Sequence, residues 1–216
     1  SAGMAGIIAL AGGGPFTAND QLDRELLAEA GADRVVVLPT ADAFENPSEM
    51  VGTAEAWGER LGIDVEALMV LQRGEALETG PAAAVGAARA VYVVGDSPIH
   101  LRSVLNDTPL FDALGAVVSG GGLVVGVAAS AAALCDPMTD PRGGAFTIGL
   151  GMVERLALAT GCETWTEDHL HRTLTLADVT VAELPTGSAL VRRGTDSQQA
   201  SWQQVGDVVL HGDLPA

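Results

Sequence analysis

Leu123-Val124-Val125-Gly126-Val127-Ala128-Ala129-Ser130-Ala131-Ala132-Ala133-Leu134 reads as a strand that breaks directly into a helix. Its first five residues are a continuous apolar run, the pattern of a strand covered on both faces. The alanines that follow are strong helix formers. Between them stands one polar side chain, Ser130. Small residues around a lone serine are what a nucleophile elbow needs, because the sharp strand-to-helix turn strains the nucleophile and bulky neighbours would clash. In this reading Ser130 is the candidate nucleophile, and the backbone N–H of Ala131 faces the same space and stabilises an oxyanion. The bland alternative is a serine that merely caps a helix.

Outward from this stretch the same alternation recurs. Residues 7–11 are apolar and close on Gly12-Gly13-Gly14-Pro15, a strand followed by a turn. Residues 34–38, 64–71 and 91–94 read as further strands. Helices fall between them: one through Leu22, Leu26 and Leu27 to Gly31, one from Pro47 to about Gly62, and one over 81–88. Ser97-Pro98 supplies a cap and a first-turn proline for the next. In the last third, 143–152 and 156–160 read as strand pieces and 166–176 as a short helix. Residues 179–184, 188–192 and 205–211 read as antiparallel strands closing the sheet. The expected architecture is a three-layer α/β fold: a mostly parallel sheet with helices on both faces and antiparallel strands added at the C-terminal end. Residues 4–216 are expected to form a single domain, with 1–3 a tag remnant.

Ligands of such sheets bind beyond the carboxyl ends of the strands. The turns at Gly12–Pro15, Gly95-Asp96 and Ala129-Ser130 all lie there, so three loops converge on one pocket. Gly13, Gly95 and Asp96 are its expected lining; Gly13 shapes the pocket, while Gly95-Asp96 either offers backbone N–H groups to the serine or is a simple turn. The glycine run lacks the Gly-x-Gly-x-x-Gly register of a dinucleotide site.

Composition narrows the chemistry. Eleven basic against 28 acidic residues give a net charge of −17, which repels nucleic-acid phosphates and anionic membranes. All the basic residues are arginine, so Schiff-base chemistry, pyridoxal-phosphate attachment and a Walker lysine are excluded. No cofactor is expected. Cys135 and Cys162 show neither zinc-site nor disulfide spacing, and no metal site is expected. No stretch supplies the about 20 apolar residues of a membrane span. A cytoplasmic location follows from these features, with a small molecule or small peptide as partner and a homodimer left open. Any histidine-dependent step must draw on His100, His169, His171 or His211. His169 and His171, two apart on a helix, face different directions and make a poor metal pair. Asp136 and Asp140 lie soon after the serine, where they serve either as a nearby acid or as turn residues.

The ordered set of motifs resembles the family containing dipeptidase E and cyanophycinase, serine peptidases on a class I glutamine-amidotransferase-like fold. The matching stretches, in order, are Ala11-Gly12-Gly13-Gly14, Val94-Gly95-Asp96-Ser97 with His100-Leu101, the Ser130 turn with Leu134-Cys135-Asp136, Gly149-Leu150-Gly151-Met152-Val153, residues 165–174, and Ser188-Ala189-Leu190-Val191. The resemblance implies that Ser130 sits where the nucleophile sits, with Gly95 or Asp96 and Ala131 as oxyanion donors. It also implies departures. The family's Gly-x-Ser-Ala-Gly carries alanine at Ala128 and Ala132, the histidine position falls at Gly161 or Cys162, and the carboxylate position falls near Thr186, with Glu183 three residues earlier. His169, His171 or His100 would then have to serve as base. A serine hydroxyl is a poor nucleophile without an adjacent base, so the implied protein is serine-hydrolase-like with weak or lost peptidase activity. The alternatives are a non-hydrolytic small-molecule-binding or accessory protein, or an enzyme of another reaction type using the same pocket.

Overall fold

The structure, a computed structural model, describes residues 6–194 and 200–216. The chain runs β1 (Ile7–Ala11), α1 (Asp20–Ala30), β2 (Arg34–Leu38), α2 (Pro47–Leu61), β3 (Asp64–Ala67), α3 (Arg73–Ala76), α4 (Thr79–Gly86) and β4 (Ala90–Val93). Then come α5 (Pro98–Leu105), α6 (Pro109–Ser119), β5 (Leu123–Val127), α7 (Ala129–Leu134), β6 (Cys135–Asp136), β7 (Met138–Thr139), β8 (Phe146–Thr147) and β9 (Val153–Glu154). The chain closes with β10 (Leu156–Thr160), α8 (Glu167–Leu176), β11 (Thr180–Leu184), β12 (Ala189–Arg193), β13 (Ser201–Val205) and β14 (Val209–His211).

The central sheet has seven strands in the order β13-β12-β1-β5-β4-β2-β3. The five strands from β1 to β3 are parallel, while β12 and β13 are antiparallel additions at one edge. Side chains alternate across a strand, and here both faces are buried. Ile7, Ala9, Val35, Val37 and Tyr92 pack with Leu26 of α1 and Trp57 of α2 on one side. Ile8, Leu10, Val36, Val93 and Val124 pack with Leu101, Leu114 and Leu134 of α5, α6 and α7 on the other. The three-layer α/β architecture read from the sequence is the observed one. No helix among the described residues is long and apolar enough to cross a membrane.

Several boundaries differ from expectation, each for a local reason. The third strand stops at Ala67 because Gln72 and Glu75 form a capping box that starts α3. The segment after Ser97 is two helices rather than one. Pro109 cannot continue α5, and the Thr108 hydroxyl donates to Leu105 O (2.7 Å) while accepting from the Phe111 N–H (3.2 Å). Residues 179–184 do not close the main sheet. As β11 they pair in parallel with β10 and antiparallel with β14 in a separate three-stranded sheet. That sheet buries Leu156, Leu158, Ala182 and Leu184 against the main core, and Ala157, Ala159 and Val181 against Leu170 and Leu174 of α8. The expected strand over 205–211 is broken at Gly206, whose φ of +74° turns the chain between β13 and β14. Of 143–152, only Phe146–Thr147 is strand.

Candidate active site

The carboxyl ends of β1, β4 and β5 lie side by side, with Ala11 paired to Val127 and Val93 to Gly126. Beyond them opens a cavity of about 480 Å³, lined among others by Gly13, Asp96, Ala128, Gly161, Trp165 and His169. Its floor is held by main-chain hydrogen bonds. Gly12 N–H donates to Ser188 O (2.9 Å) and Gly161 N–H to Gly12 O (2.8 Å). A side chain at Gly12 would strike the Pro185 and Leu184 carbonyl oxygens at 2.2 and 2.5 Å. Only glycine therefore lets the first loop pass under the second sheet.

The strand-to-helix corner falls at Ala128, with φ 56° and ψ −127°. A residue with a Cβ held in such a region carries strain of about 1–3 kcal/mol and persists only where the surroundings fix it. They do so here: Ala128 N–H donates to Ala11 O (2.9 Å) and Ala128 O accepts from Ala132 N–H (3.2 Å). Two residues earlier, a Cβ on Gly126 would lie 2.7 Å from Leu134 Cδ1 and 3.0 Å from Ala131 Cα, so glycine lets α7 pack tightly on β5. The elbow register is thus Gly126-Val127-Ala128-Ala129-Ser130, two residues earlier than the serine-centred reading.

This shift relocates the predicted residues. Ser130 is the second residue of α7 and is 0% exposed, and its hydroxyl donates to Gly95 O at 3.0 Å. It sits behind the corner and does not line the cavity, whereas Ala128 and Ala129 are partly exposed and do. Ala131 is fully buried against Gly126 and does not line the cavity. Gly95, with φ +119°, is buried and crowds the Ala41–Asp42 backbone, where a Cβ would come within 2.6 Å of Asp42 N. Asp96 lines the cavity, but its N–H is committed to Asp42 Oδ1 (3.0 Å). Burial pushes the Asp42 carboxyl above its ordinary value, against the pull of that N–H. Gly13 lies where expected, its Cα facing Thr186 Oγ1.

Among the histidines, His169 lines the cavity and stacks flat on Trp165, with centroids 4.2 Å apart and 7° between planes. Its Nε2 is buried and has no hydrogen-bond partner among the described residues. Trp165 is held by its Nε1 donating to Thr160 O (3.0 Å). His171, on the next face of α8, is exposed and outside the cavity. His100 packs on Phe44 with its Nε2 at Leu71 O (2.8 Å), and His211 pairs with Glu183 on the second sheet. Of the two positions implied for a histidine, Gly161 lines the cavity while Cys162 packs against the Ala157–Val181 cluster. Burial, with Glu183 and Glu163 nearby, pushes the Cys162 thiol up and so keeps it protonated. Thr186 lines the cavity. Its N–H donates to both Glu163 oxygens at 3.2 Å, and the Thr186 hydroxyl, more than that N–H, holds the Glu163 carboxyl below its usual range. Asp136 accepts from Gly149 N–H and Asp140 pairs with Arg142, so both act as turn residues. No cluster of three or more metal-ligating side chains exists among the described residues.

Sequence reasoning passed over Ala128, Glu163 and Asp42. The signal for Ala128 was present: Gly126 supplies the first glycine of a Gly-x-x-x-small pattern centred on it. An alanine carries no chemistry to draw attention, and the polar neighbour drew it instead.

A parallel α/β sheet crowned by a strained strand-to-helix corner defines the nucleophile-elbow class of hydrolase folds. Within that class the chain belongs to peptidase family S51, whose sequence model matches residues 7–198. The crystal structure of a peptidase from an acI-B1 actinobacterium is similar at TM-score 0.80 and 22% identity, over 95% of this chain and 97% of that one. A peptidase E protein from Listeria monocytogenes EGD-e is similar at TM-score 0.70 and 17% identity, over 94% and 100%. At these identities the likeness is one of fold. No curated protein matches the chain.

Proposed function

We propose that this peptidase-family member binds a small molecule or short peptide over Ala128 without forming an acyl-enzyme. The observation that carries the reading is the methyl group of Ala128 at the corner where an elbow presents its nucleophile. A methyl group cannot attack a carbonyl, and the nearest serine hydroxyl is enclosed and already donating to Gly95 O. The sequence contains no lysine to act instead. What the site retains is shape: a preformed cavity within the range that encloses small ligands, an aromatic wall at Trp165, and the carboxylates of Asp96 and Glu163 with no arginine among the lining. That wall charge favours a ligand bearing an amine, such as the free N-terminus of a short peptide.

The test is to add a fluorophosphonate and a panel of dipeptides to the purified protein. Expected are no serine labelling, no cleavage, and thermal stabilisation by dipeptides with a free amine that is reduced by N-acetylation and by Glu163→Gln. Labelling with turnover that vanishes in Ser130→Ala would overturn the proposal and restore Ser130 as nucleophile.

A further inference from the structure

On the far side of the β7–β8 hairpin lies a second cavity, of about 390 Å³, bordered by Arg73, Arg102 and Arg142. The chain holds 11 cationic side chains against 28 acids, so chance would place acids around most openings. Here three arginines gather, with no acidic residue among the lining. Three elements bring them together. Arg102 lies on α5 with Ile99, Ser103 and Asn106 on one helical face. Arg73 opens α3 and donates through Nη1 alone, to Ser103 O (3.2 Å) and Asn106 O (2.6 Å), leaving the rest of its fork unused among the described residues. Arg142 sits on the loop that β7 and β8 bracket, fixed by Asp140 through its Nε and Nη2.

The Arg102 side chain makes no hydrogen bond among the described residues, and its Nε is buried without a partner. A buried, unpaired donor on a permanent cation is costly, and such a group in a folded protein calls for an unseen partner. Arg142 is paired with Asp140, but Arg73 and Arg102 have no acidic partner among the described residues, and two like charges without a counter-charge add to that cost. An oxyanion in the cavity supplies the missing counter-charge and accepts from the guanidinium N–H groups left unused, since the planar guanidinium fork matches carboxylate and phosphate oxygens. Ile99 and Met138 supply an apolar wall beside the charges, which suits an organic anion over a bare ion.

We infer that this cavity is a binding site for a small organic oxyanion, a phosphate- or carboxylate-bearing molecule, separate from the cavity over Ala128. Two segments divide the cavities: Met138 and Arg142 face the arginine cavity and Thr139 and Pro141 the other, and at the start of α5 Ile99 faces the first and Pro98 the second. Occupancy of the one therefore bears on a wall of the other. The experiment is titration calorimetry of the intact protein with pyrophosphate and with citrate, at ionic strength held constant with sodium chloride because exposed charges are screened. Saturable binding of at least one is expected, and which one binds assigns the phosphate or carboxylate class. Arg102→Gln should weaken it about tenfold or more. Arg142→Gln, on a loop and so tolerable to the fold, should weaken it as well, while Arg24→Gln on the opposite face of the sheet should leave it unchanged. No saturable heat with either anion up to about 10 mM, or binding indifferent to both Arg102→Gln and Arg142→Gln, would overturn the inference.

Discussion

Replacing Ser130 by alanine separates a structural serine from a catalytic one. The hydroxyl is fully enclosed, and its one hydrogen bond joins α7 to the Gly95 carbonyl at the end of β4 (3.0 Å). Deleting it leaves that carbonyl buried beside a methyl group, at a cost of about 1–3 kcal/mol for an unsatisfied acceptor. Alanine is the better helix former by a few tenths of a kcal/mol, and the volume change is a single oxygen. The net expectation is about 1–2 kcal/mol of lost stability. For a chain of this size that is a fall in Tm of about 3–6 °C. Urea unfolding followed by circular dichroism measures the first quantity and differential scanning calorimetry the second. Ligand binding at the Ala128 cavity, read by thermal shift, should be unchanged once the lower baseline is subtracted. A variant as stable as the parent but deprived of binding or fluorophosphonate labelling would refute the argument, because it would place the hydroxyl in the site and not in the packing.

Three further predictions test the scaffold. Asp23 is buried on α1, accepting from Tyr92 OH (2.7 Å) and Trp57 Nε1 (3.0 Å), and burial pushes its carboxyl up to about 6. A carboxyl raised in the folded state favours folding fully below its unfolded value near 4 and loses that contribution as pH climbs through 6, amounting to about 3 kcal/mol. Unfolding free energy should therefore show this decline between pH 4 and 6, and Asp23→Asn should flatten it; an unaltered slope in the variant would assign the titration elsewhere. Gly149→Ala should destabilise by about 3 kcal/mol or more, since its Cβ would lie 1.6 Å from the Cys135 carbonyl oxygen. Gly115→Ala, in open space on α6, should stabilise by about 0.5–1 kcal/mol, and denaturant midpoints of the pair check both signs.

The sheet was legible because its strands are uninterrupted apolar runs and its helices begin and end on recognisable caps. Three of the loops at its carboxyl edge could be brought to one pocket from order alone. What the residues did not disclose is non-local. Strands of four or five residues such as 156–160 and 180–184 carry the same pattern whether they join the main sheet or form their own. The partner is chosen by packing of β10 on α7, elements that are far apart in the chain. The elbow was misread by two positions for a different reason. Its register depends on which residue takes a positive φ, and that strain is imposed by the Ala11 and Ala132 hydrogen bonds rather than by any preference of alanine. A search for the chemically able residue settled on Ser130, whereas backbone geometry selects Ala128.

The stack of Trp165 on His169 also has an optical side. The protein carries three tryptophans, and only Trp165 borders the cavity over Ala128. Trp57 is sealed beneath the opposite face of the sheet, and Trp202 is tied to Pro215 O at the far edge. An indole at a cavity wall shifts its emission to shorter wavelength when a ligand excludes water from it. The native fluorescence thus contains its own reporter of the pocket, referenced to two emitters that the pocket does not touch.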